Sequence, residues 1–290
     1  MLLEDWLVIS CLNNRLHRVD THMSTTQIKQ VLTIAGSDSG GGAGIQADIK
    51  AMSANGVFAM SAITAITAQN TEEVTDVFEL PTSIIAAQID AVFNDFDVAA
   101  VKTGMLCSVE IVRVVAKLLT PQKISNLIVD PVMQSKSGHA LLKPDAVDAL
   151  RTELIPLALV ITPNIHEAQH LSGMEIKSLA DARQAAKILH KLGCRNVLIK
   201  GGHLLAEQGT DLLYDGRFFN IYKGDFIDTP HTHGTGCTFA SAIAAQVARG
   251  KTLPEAVQAA KAYVTEAIRH ALAIGHGKGP TNHFYFLTQQ

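Results

Sequence analysis

Residues 233–237, HGTGC in the printed sequence, combine residue types that can bind an anion and accept a proton. Glycines let the backbone approach a ligand closely. A helix rich in small residues is predicted over 238–249, and the free N–H groups and dipole at its start favour an anion. Cys237 stands at the first turn, a position that stabilises a thiolate. The segment predicts a phosphate site with a base beside it; the alternative is a glycine-rich loop before a helix with a buried cysteine.

A second glycine-rich segment, GSDSGGGAG at 36–44, follows a predicted strand. It is not a P-loop, because no lysine and hydroxyl residue follow Gly44. Residues 42–47 fit GxGxxA, but a dinucleotide site also needs an acidic residue about 20 positions on, where Gln69 and Asn70 stand. The segment favours a loop that lets the backbone approach a small substrate. A dinucleotide site and a plain tight turn are the alternatives.

Residues 166–170 spell HExxH, the zinc-protease motif. Asn164 marks a helix start, so His166 falls in the first turn, and Gly173 ends the helix soon afterwards. Asn164 and Glu167 fit a capping box better than a zinc site. A carboxylate at a strand end can also hold Mg²⁺ near phosphates, so capping and function can coexist.

Charged residues stand where three predicted strands end. Asp130 is either a turn aspartate or an acid that faces a cleft. Lys102 and Lys200 are either phosphate contacts or lysines that reach toward solvent. In open α/β sheets the ligand binds outside the carboxyl ends of the strands, so we expect these groups to converge there.

Composition limits the function classes. The 290 residues carry a net charge of −3 without a basic block, which argues against a nucleic-acid partner. The four cysteines form no CxxC pair, which favours neither a disulfide framework nor a zinc ribbon and fits a reducing cytoplasm. No apolar run reaches the roughly 18 residues of a membrane helix.

Apolar runs of strand length alternate with helical patterns. Strands are predicted near 31–35, 57–67, 98–102, 126–129, 159–161 and 197–200. The runs are continuous, as in strands covered on both faces, and the alternation predicts a doubly wound, mostly parallel sheet between helical layers. An Asp215-Gly216 turn predicts an antiparallel hairpin at one edge.

Two segments are expected. Residues 1–27 fall outside the strand–helix pattern and predict an N-terminal extension outside the core, with Met23 as the native start. The alternative is an ordered helix packed on the domain. Residues 28–290 show no linker or repeat and predict a single domain.

Motifs along the chain carry a family resemblance. In order they are AGSDSGGGAGIQADIK, ITAQNT, KTGML, VDPVM with KSG, ITPN with EA, IKGGH, HGTGC and HGKGP. The ordered set resembles the hydroxymethylpyrimidine/phosphomethylpyrimidine kinases of thiamine biosynthesis, in the ribokinase-like superfamily. The resemblance covers roughly residues 30–287.

The resemblance implies a three-layer α/β/α kinase domain. It implies ATP-dependent phosphorylation of 4-amino-5-hydroxymethyl-2-methylpyrimidine and then of its monophosphate, with Mg²⁺, in a cytoplasmic homodimer without nucleic-acid or membrane partners. The alternatives are a pyridoxine/pyridoxal kinase of the same fold, a non-catalytic pyrimidine-binding protein and, from the HExxH motif, a metalloprotease.

Site residues follow from motif position. Gln69 would hydrogen-bond the aminopyrimidine edge, and the substrate pocket would be completed by Gly36, Asp48, Met105 and Val132. Ser39 stands where many relatives have proline, a change expected to cost no function.

The resemblance also assigns the phosphate-handling residues. Asp130 and Glu167 would lie near Mg²⁺, and Lys200 and Gly202 would contact the nucleotide. Gly234, Thr235 and Gly236 resemble an anion hole, and Cys237 stands where many relatives carry an aspartate base.

Overall fold

The computed structural model describes residues 27–135, 138–201 and 208–287. Strands β1 to β9 are Gln30–Asp38, Phe58–Gln69, Val74–Glu79, Val98–Thr103, Leu127–Val129, Val160–Ile161, Val197–Gly201, Thr210–Tyr214 and Phe219–Lys223. Helices α1 to α8 are Gly44–Ala54, Thr82–Asp95, Val109–Gln122, Ala146–Ala149, Ile165–Ser172, Leu179–His190, Thr235–Ala248 and Leu253–Arg269. Except for Gln27, the expected N-terminal extension lies outside the described residues, as does Gly202, so the proposed domain limits stay a prediction.

The strands form one sheet in the order β3-β2-β1-β4-β5-β6-β7-β8-β9. Strands β2, β1, β4, β5, β6 and β7 run parallel. The predicted hairpin, β8 with β9, closes one edge in antiparallel register. Strand β3 pairs antiparallel with β2 at the other edge. It was not predicted, because half of its residues are polar and only Val74 is buried.

Helices cover both faces of the sheet, as the continuous apolar strands predicted. On one face, Leu32 and Ile34 of β1 pack with residues of α2 and α3 such as Ile89 and Val112. On the other face, strand and helix residues from α1, α7 and α8 form a second buried cluster. Helix α7 lies in this layer and is buried on nearly all sides, which explains its small, apolar sequence. None of the described helices is long and apolar enough to cross a membrane.

The order in which successive strands are added to the sheet reverses between β1 and β4, although the two strands run parallel. Strands β2 and β3 lie on one side of β1, whereas β4 and all later strands lie on the other. The loops that leave the carboxyl ends of β1 and β4 therefore diverge and open a crevice, the usual ligand position in such sheets. Because α7 packs against β1, β4 and β5, its first turn reaches this crevice.

Candidate active site

A cavity of about 440 Å³ lies at the carboxyl ends of the parallel strands. Most residues that the sequence analysis singled out line it. They are Gly36, Gln69, Lys102, Met105, Asp130, Val132, Glu167, Lys200, Gly234, Thr235, Gly236 and Cys237. Among the predicted site residues that the structure describes, Asp48 is absent from the cavity wall.

Two glycine-rich loops meet backbone to backbone beside the cavity. Gly234, the N-cap of α7, has a φ of 79°, and a Cβ there would overlap the carbonyl oxygen of Gly42. A Cβ on Gly42 would overlap the His233 ring. Only glycine allows this approach, so the sequence segments 36–44 and 233–237 together form one wall of the site.

Asp38, at the end of β1, organises both loops. Its Oδ1 accepts the Gly40 amide at 2.8 Å, and its Oδ2 accepts the amides of Gly42 and Ala43 at 3.1 and 2.8 Å. The same Oδ2 lies 2.9 Å from Nε2 of His233. Although burial opposes ionisation, these hydrogen bonds lower the pKa of Asp38, which keeps it a carboxylate.

The first turn of α7 faces a charged pair. No side chain caps this helix start. A Cβ on Gly236 would lie 3.4 Å from Nζ of Lys200 and 3.9 Å from Oδ2 of Asp130. A helix start beside a lysine attracts anions through aligned amides and through charge. The structure thus brings together the predicted anion hole and the predicted phosphate-handling residues.

Lys200 and Asp130 form a mostly buried ion pair. Lys200 Nζ lies 2.8 Å from Asp130 Oδ1, which also accepts the Thr162 hydroxyl at 2.9 Å. Burial opposes both charges, yet Lys200 and Lys102 lower the pKa of Asp130, and Asp130 and Glu167 raise the pKa of Lys200. Both groups are therefore charged at neutral pH.

Glu167 confirms the capping box and lines the cavity. Its backbone N–H donates to Asn164 Oδ1 at 2.9 Å, and its Oε2 accepts the backbone N–H of Asn164 at 2.8 Å. Burial, with a further contribution from the negative charge of Asp130, raises the pKa of Glu167 to about 7. In the part of the chain that the structure describes, no group of three His, Cys, Asp or Glu side chains is arranged to hold a metal ion.

Cys237 is the third residue of α7, as expected, but its chemistry differs from the expectation. The charge of Lys102 and, to a smaller extent, the Gly44 backbone N–H act to lower the pKa of its thiol. Desolvation outweighs both effects and raises the pKa of the thiol to about 11. The helix start does not maintain a thiolate at neutral pH in this arrangement, which corrects the prediction made from position alone.

Asp48 lies behind the cavity wall and not on it, so its predicted contact with the substrate stays a prediction. Its carboxylate is fully buried behind the wall, with both oxygens 2.8 to 2.9 Å from Nζ of Lys102. The Thr33 and Ser241 hydroxyls donate to it at 2.6 and 2.7 Å. The residue therefore supports Lys102, which does line the cavity. Motif position alone could not separate these roles, since Asp48 lies only one helical turn from the loop.

One end of the cavity suits a flat heterocycle. Met105 and Val132 supply apolar contacts, and a Cβ on Gly36 would lie only 3.1 Å from Cε of Met105. Gln69 supplies an amide whose oxygen Oε1 lies 3.1 Å from Thr67 Oγ1 and whose nitrogen Nε2 lies 3.4 Å from His233 Nε2. Apolar faces with one amide at the edge can hold and orient a ring.

The opposite end of the cavity was missed by sequence reasoning. Lys261 on α8 reaches Asp211 Oδ2 and the Gly209 carbonyl, each at 2.6 Å. Nearby apolar side chains line this end: Phe226, Ile227, Val264 and Ile268. A lysine on an amphipathic helix is typical of a solvent-facing position, so its sequence carried no signal of this role.

The fold and the site define a phosphotransferase: a helix start and Lys200 can hold phosphate oxygens, with Cys237 beside them in the same cavity. Residues 38–282 match the family described as phosphomethylpyrimidine kinase. The chain belongs to this family.

Individual relatives agree with this assignment. A hydroxymethylpyrimidine/phosphomethylpyrimidine kinase from Haemophilus influenzae is 52% identical over 266 residues, which are 90% of this chain and 98% of that protein. The solved phosphomethylpyrimidine kinase of Clostridium difficile is 48% identical with a TM-score of 0.75, over 83% of this chain and 99% of the other. A Bacillus subtilis pyridoxal kinase solved with ADP is 42% identical with a TM-score of 0.84, and the match covers 90% of this chain and 99% of the other. The predicted ribokinase-like three-layer fold is confirmed.

Proposed function

We propose that this protein is an ATP-dependent kinase that phosphorylates 4-amino-5-hydroxymethyl-2-methylpyrimidine and then converts the monophosphate to the diphosphate. One observation carries the proposal: a single cavity holds an amide and apolar walls at one end and a helix start with a lysine beside it. The relatives named for this activity reach 52% identity, against 42% for the pyridoxal kinase structure.

The pyrimidine would lie between Met105 and Val132, next to Gly36, with its amino edge at Gln69. An amide has both donors and acceptors, which match an aminopyrimidine edge. This pose directs the hydroxymethyl group toward the start of α7. Lys102, held in place by Asp48, lies on the same wall.

Phosphoryl transfer needs positioning and charge neutralisation more than covalent chemistry. The backbone amides of Gly234, Thr235 and Gly236 would hold the transferring phosphoryl oxygens, with the Lys200 ammonium beside them. Cys237 would accept the proton of the attacking hydroxyl. Because its thiol has a raised pKa, it would be an effective base only in the fraction of molecules in which the proton has already left.

Asp130 and Glu167 are the residues that would hold Mg²⁺. Both are buried at the cavity. Burial and, to a smaller extent, the negative charge of Asp130 raise the pKa of Glu167, so a divalent cation would stabilise both carboxylates. Oxygen ligands suit this ion. When bound, Mg²⁺ would neutralise charge on the nucleotide phosphates.

The nucleotide would occupy the other half of the cavity. Lys200 would contact its phosphates, together with Gly202, which lies outside the described residues. The apolar side chains at this end would pack on the adenine; they are Phe226, Ile227, Val264 and Ile268. Solved relatives in complexes with ADP and AMP-PCP support a nucleotide site in this fold.

We also propose a cytoplasmic homodimer. The edge strand β3 pairs Phe78 with Ile66 of β2, and both side chains are largely exposed. Exposed apolar edges favour association with another chain. Light scattering of the purified protein should give twice the chain mass.

The cytoplasmic location is proposed from the cysteines. The described cysteines, Cys107, Cys194 and Cys237, are free thiols, as in a reducing compartment.

A coupled ADP-release assay tests the function. With ATP and Mg²⁺, the protein should turn over the pyrimidine alcohol and its monophosphate, with a much lower kcat/KM for pyridoxal. A higher kcat/KM for pyridoxal would replace the proposal with a pyridoxal kinase. Pyrimidine binding without ADP release would indicate a non-catalytic binding protein.

A further inference from the structure

The turn that begins at Gln69, the last residue of β2, is held from two sides by groups that the proposed mechanism does not use. On one side lies Ser39, in the glycine-rich segment 36–44. On the other side lies the HGKGP motif, residues 276–280, to which no role has been assigned so far.

Ser39 contacts both backbone groups of Gln69. Its hydroxyl donates to the Gln69 carbonyl oxygen at 2.7 Å and accepts the Gln69 backbone N–H at 2.8 Å. The chain next to it passes so close that a Cβ on Gly40 would lie 3.3 Å from the same carbonyl oxygen. The β1–β2 pairing ends with Asp38 and Thr67. The serine side chain therefore continues the link between the two strands after their backbones separate.

Thr71, close after Gln69 in the same turn, is held by the HGKGP motif. Its Oγ1 accepts the Gly277 N–H at 3.1 Å, and its carbonyl oxygen accepts the Lys278 N–H at 2.9 Å. A Cβ on Gly277 would overlap that carbonyl oxygen, so only glycine permits this approach.

The HGKGP motif also binds the loop that enters the anion hole. The His233 N–H donates to the Gly279 carbonyl oxygen at 3.1 Å, and the Gly279 N–H donates to Nδ1 of His231 at 3.0 Å. His233 directly precedes Gly234, the N-cap of α7. A continuous set of backbone contacts therefore connects the turn after β2 to the helix start that would hold the phosphoryl group.

We propose that Ser39 and Thr71 are positioning residues that fix the Gln69 amide at the edge of the pyrimidine. Neither residue lines the cavity, so each would act on the substrate only through Gln69. A glutamine side chain is long, so a small rotation of its backbone displaces the amide at its end. An amide that is already in place loses less conformational freedom when the ring binds. This inference rests on the proposed function, in which Gln69 contacts the pyrimidine.

Calorimetric titrations with 4-amino-5-hydroxymethyl-2-methylpyrimidine and, separately, with ADP test the inference. Ser39→Ala should raise the pyrimidine Kd by about 3- to 10-fold, because it removes hydrogen bonds that solvent replaces only in part. The ADP Kd should not change. Ser39→Thr keeps the hydroxyl and should bind the pyrimidine as wild type does. Thr152→Ala is the matched control, since it removes another exposed hydroxyl that donates to a backbone carbonyl, that of Asp148, away from the cavity.

Thr71→Val is the second variant, and it keeps the shape of the side chain while removing the acceptor of the Gly277 N–H. It should also raise the pyrimidine Kd and leave the ADP Kd unchanged, whereas Thr71→Ser should bind as wild type. This pair of variants decides the question if Ser39→Ala fails to fold, as judged by its circular dichroism spectrum.

A comparison in the Gln69→Leu background separates positioning from general support of the fold. There, Ser39→Ala should have no further effect on the pyrimidine Kd, because the amide that it positions is gone. The same added effect in both backgrounds, or an equal loss of affinity for ADP and pyrimidine, would overturn the inference. Unchanged pyrimidine binding in Gln69→Leu would remove Gln69 from the site, and the inference with it. If wild type itself does not bind the pyrimidine, the proposed function fails instead.

Discussion

The ammonium nitrogen of Lys102 lies 2.9 and 2.8 Å from the two carboxylate oxygens of Asp48, and both side chains are completely buried. Hydroxyl groups of Thr33 and Ser241 complete the hydrogen bonds of the carboxylate. The pair holds Lys102 in place on the cavity wall. Because solvent does not reach either side chain, each charge is stabilised mainly by the other.

Breaking this pair should strongly destabilise the protein. Lys102→Met or Asp48→Asn should each lower the free energy of unfolding by about 3–5 kcal/mol, because one buried group loses its partner. The double variant should lose clearly less than the sum. Urea denaturation followed by circular dichroism measures all three. Strict additivity would show that the two side chains do not interact energetically.

Cys237→Ala should lower kcat by about 10²–10⁴-fold if the residue is the base, with nucleotide and pyrimidine binding retained because the backbone amides survive. Cys237→Asp should retain more activity than the alanine variant. Isothermal calorimetry and the ADP-release assay separate binding from turnover. A near wild-type kcat for Cys237→Ala would leave the residue a packing role only.

The raised pKa of Cys237 sets a direction for the pH dependence. The thiolate fraction grows as pH rises from neutral toward about 11. Wild-type kcat and alkylation of Cys237 by iodoacetamide, measured by peptide mass spectrometry, should therefore both increase with pH. Bound pyrimidine should slow the alkylation. A rate of alkylation that is already maximal at pH 7 would show a stabilised thiolate after all.

Gln69→Leu should weaken pyrimidine binding by about 5- to 150-fold, because the buried polar edge of the substrate is left unpaired. Affinity for the nucleotide should not change, since Gln69 lies at the other end of the cavity. Calorimetric titration with each ligand provides both values. An unaltered pyrimidine Kd would remove Gln69 from the binding site.

Glu167→Gln should impair turnover and raise the Mg²⁺ concentration needed for half-maximal rate. The amide oxygen can still accept the Asn164 N–H, so the helix cap is retained. His170→Ala should behave as wild type, because this histidine is exposed. Stoichiometric zinc in the purified protein, lost in His170→Ala, would contradict the magnesium assignment.

His283 should make the protein less stable in acid. Its Nε2 lies 2.9 Å from the Thr238 hydroxyl, and burial, with a smaller effect of the Lys50 charge, lowers its pKa from 6.5 to about 4. The folded protein holds the ring neutral, whereas the unfolded chain protonates it near pH 6.5. The stability that the neutral ring provides is therefore fully present above pH 6.5 and is lost as pH falls toward 4. Over this range the free energy of unfolding should fall by about 3 kcal/mol.

Urea denaturation at pH 7.5 and pH 4.5 should show a smaller pH effect in His283→Asn than in wild type. Other acidic groups titrate in both proteins, so the difference between the two curves reports His283 alone. Parallel curves would mean that this histidine does not change its protonation on unfolding.

Much of the fold and several features of the site depend on interactions between residues that are close together in the sequence. The strand–helix alternation, the capping box of Asn164 and Glu167, and the hairpin at Asp215-Gly216 depend on residues a few positions apart. Backbone preference and local hydrogen bonds act at that range, so sequence patterns reveal them. Strand β3 was not predicted, because an exposed edge strand lacks the apolar pattern of a buried strand.

Only the tertiary structure decided the roles that depend on distant residues and on solvent exclusion. Asp38 and His233 are 195 positions apart, and Lys102 and Asp48 are 54 apart, so no local pattern reports either contact. The sequence correctly located Cys237 at a helix start but gave its thiol the wrong acidity. A helix start acts within one turn, whereas desolvation depends on everything that packs around the sulfur, and only the folded chain supplies those surroundings.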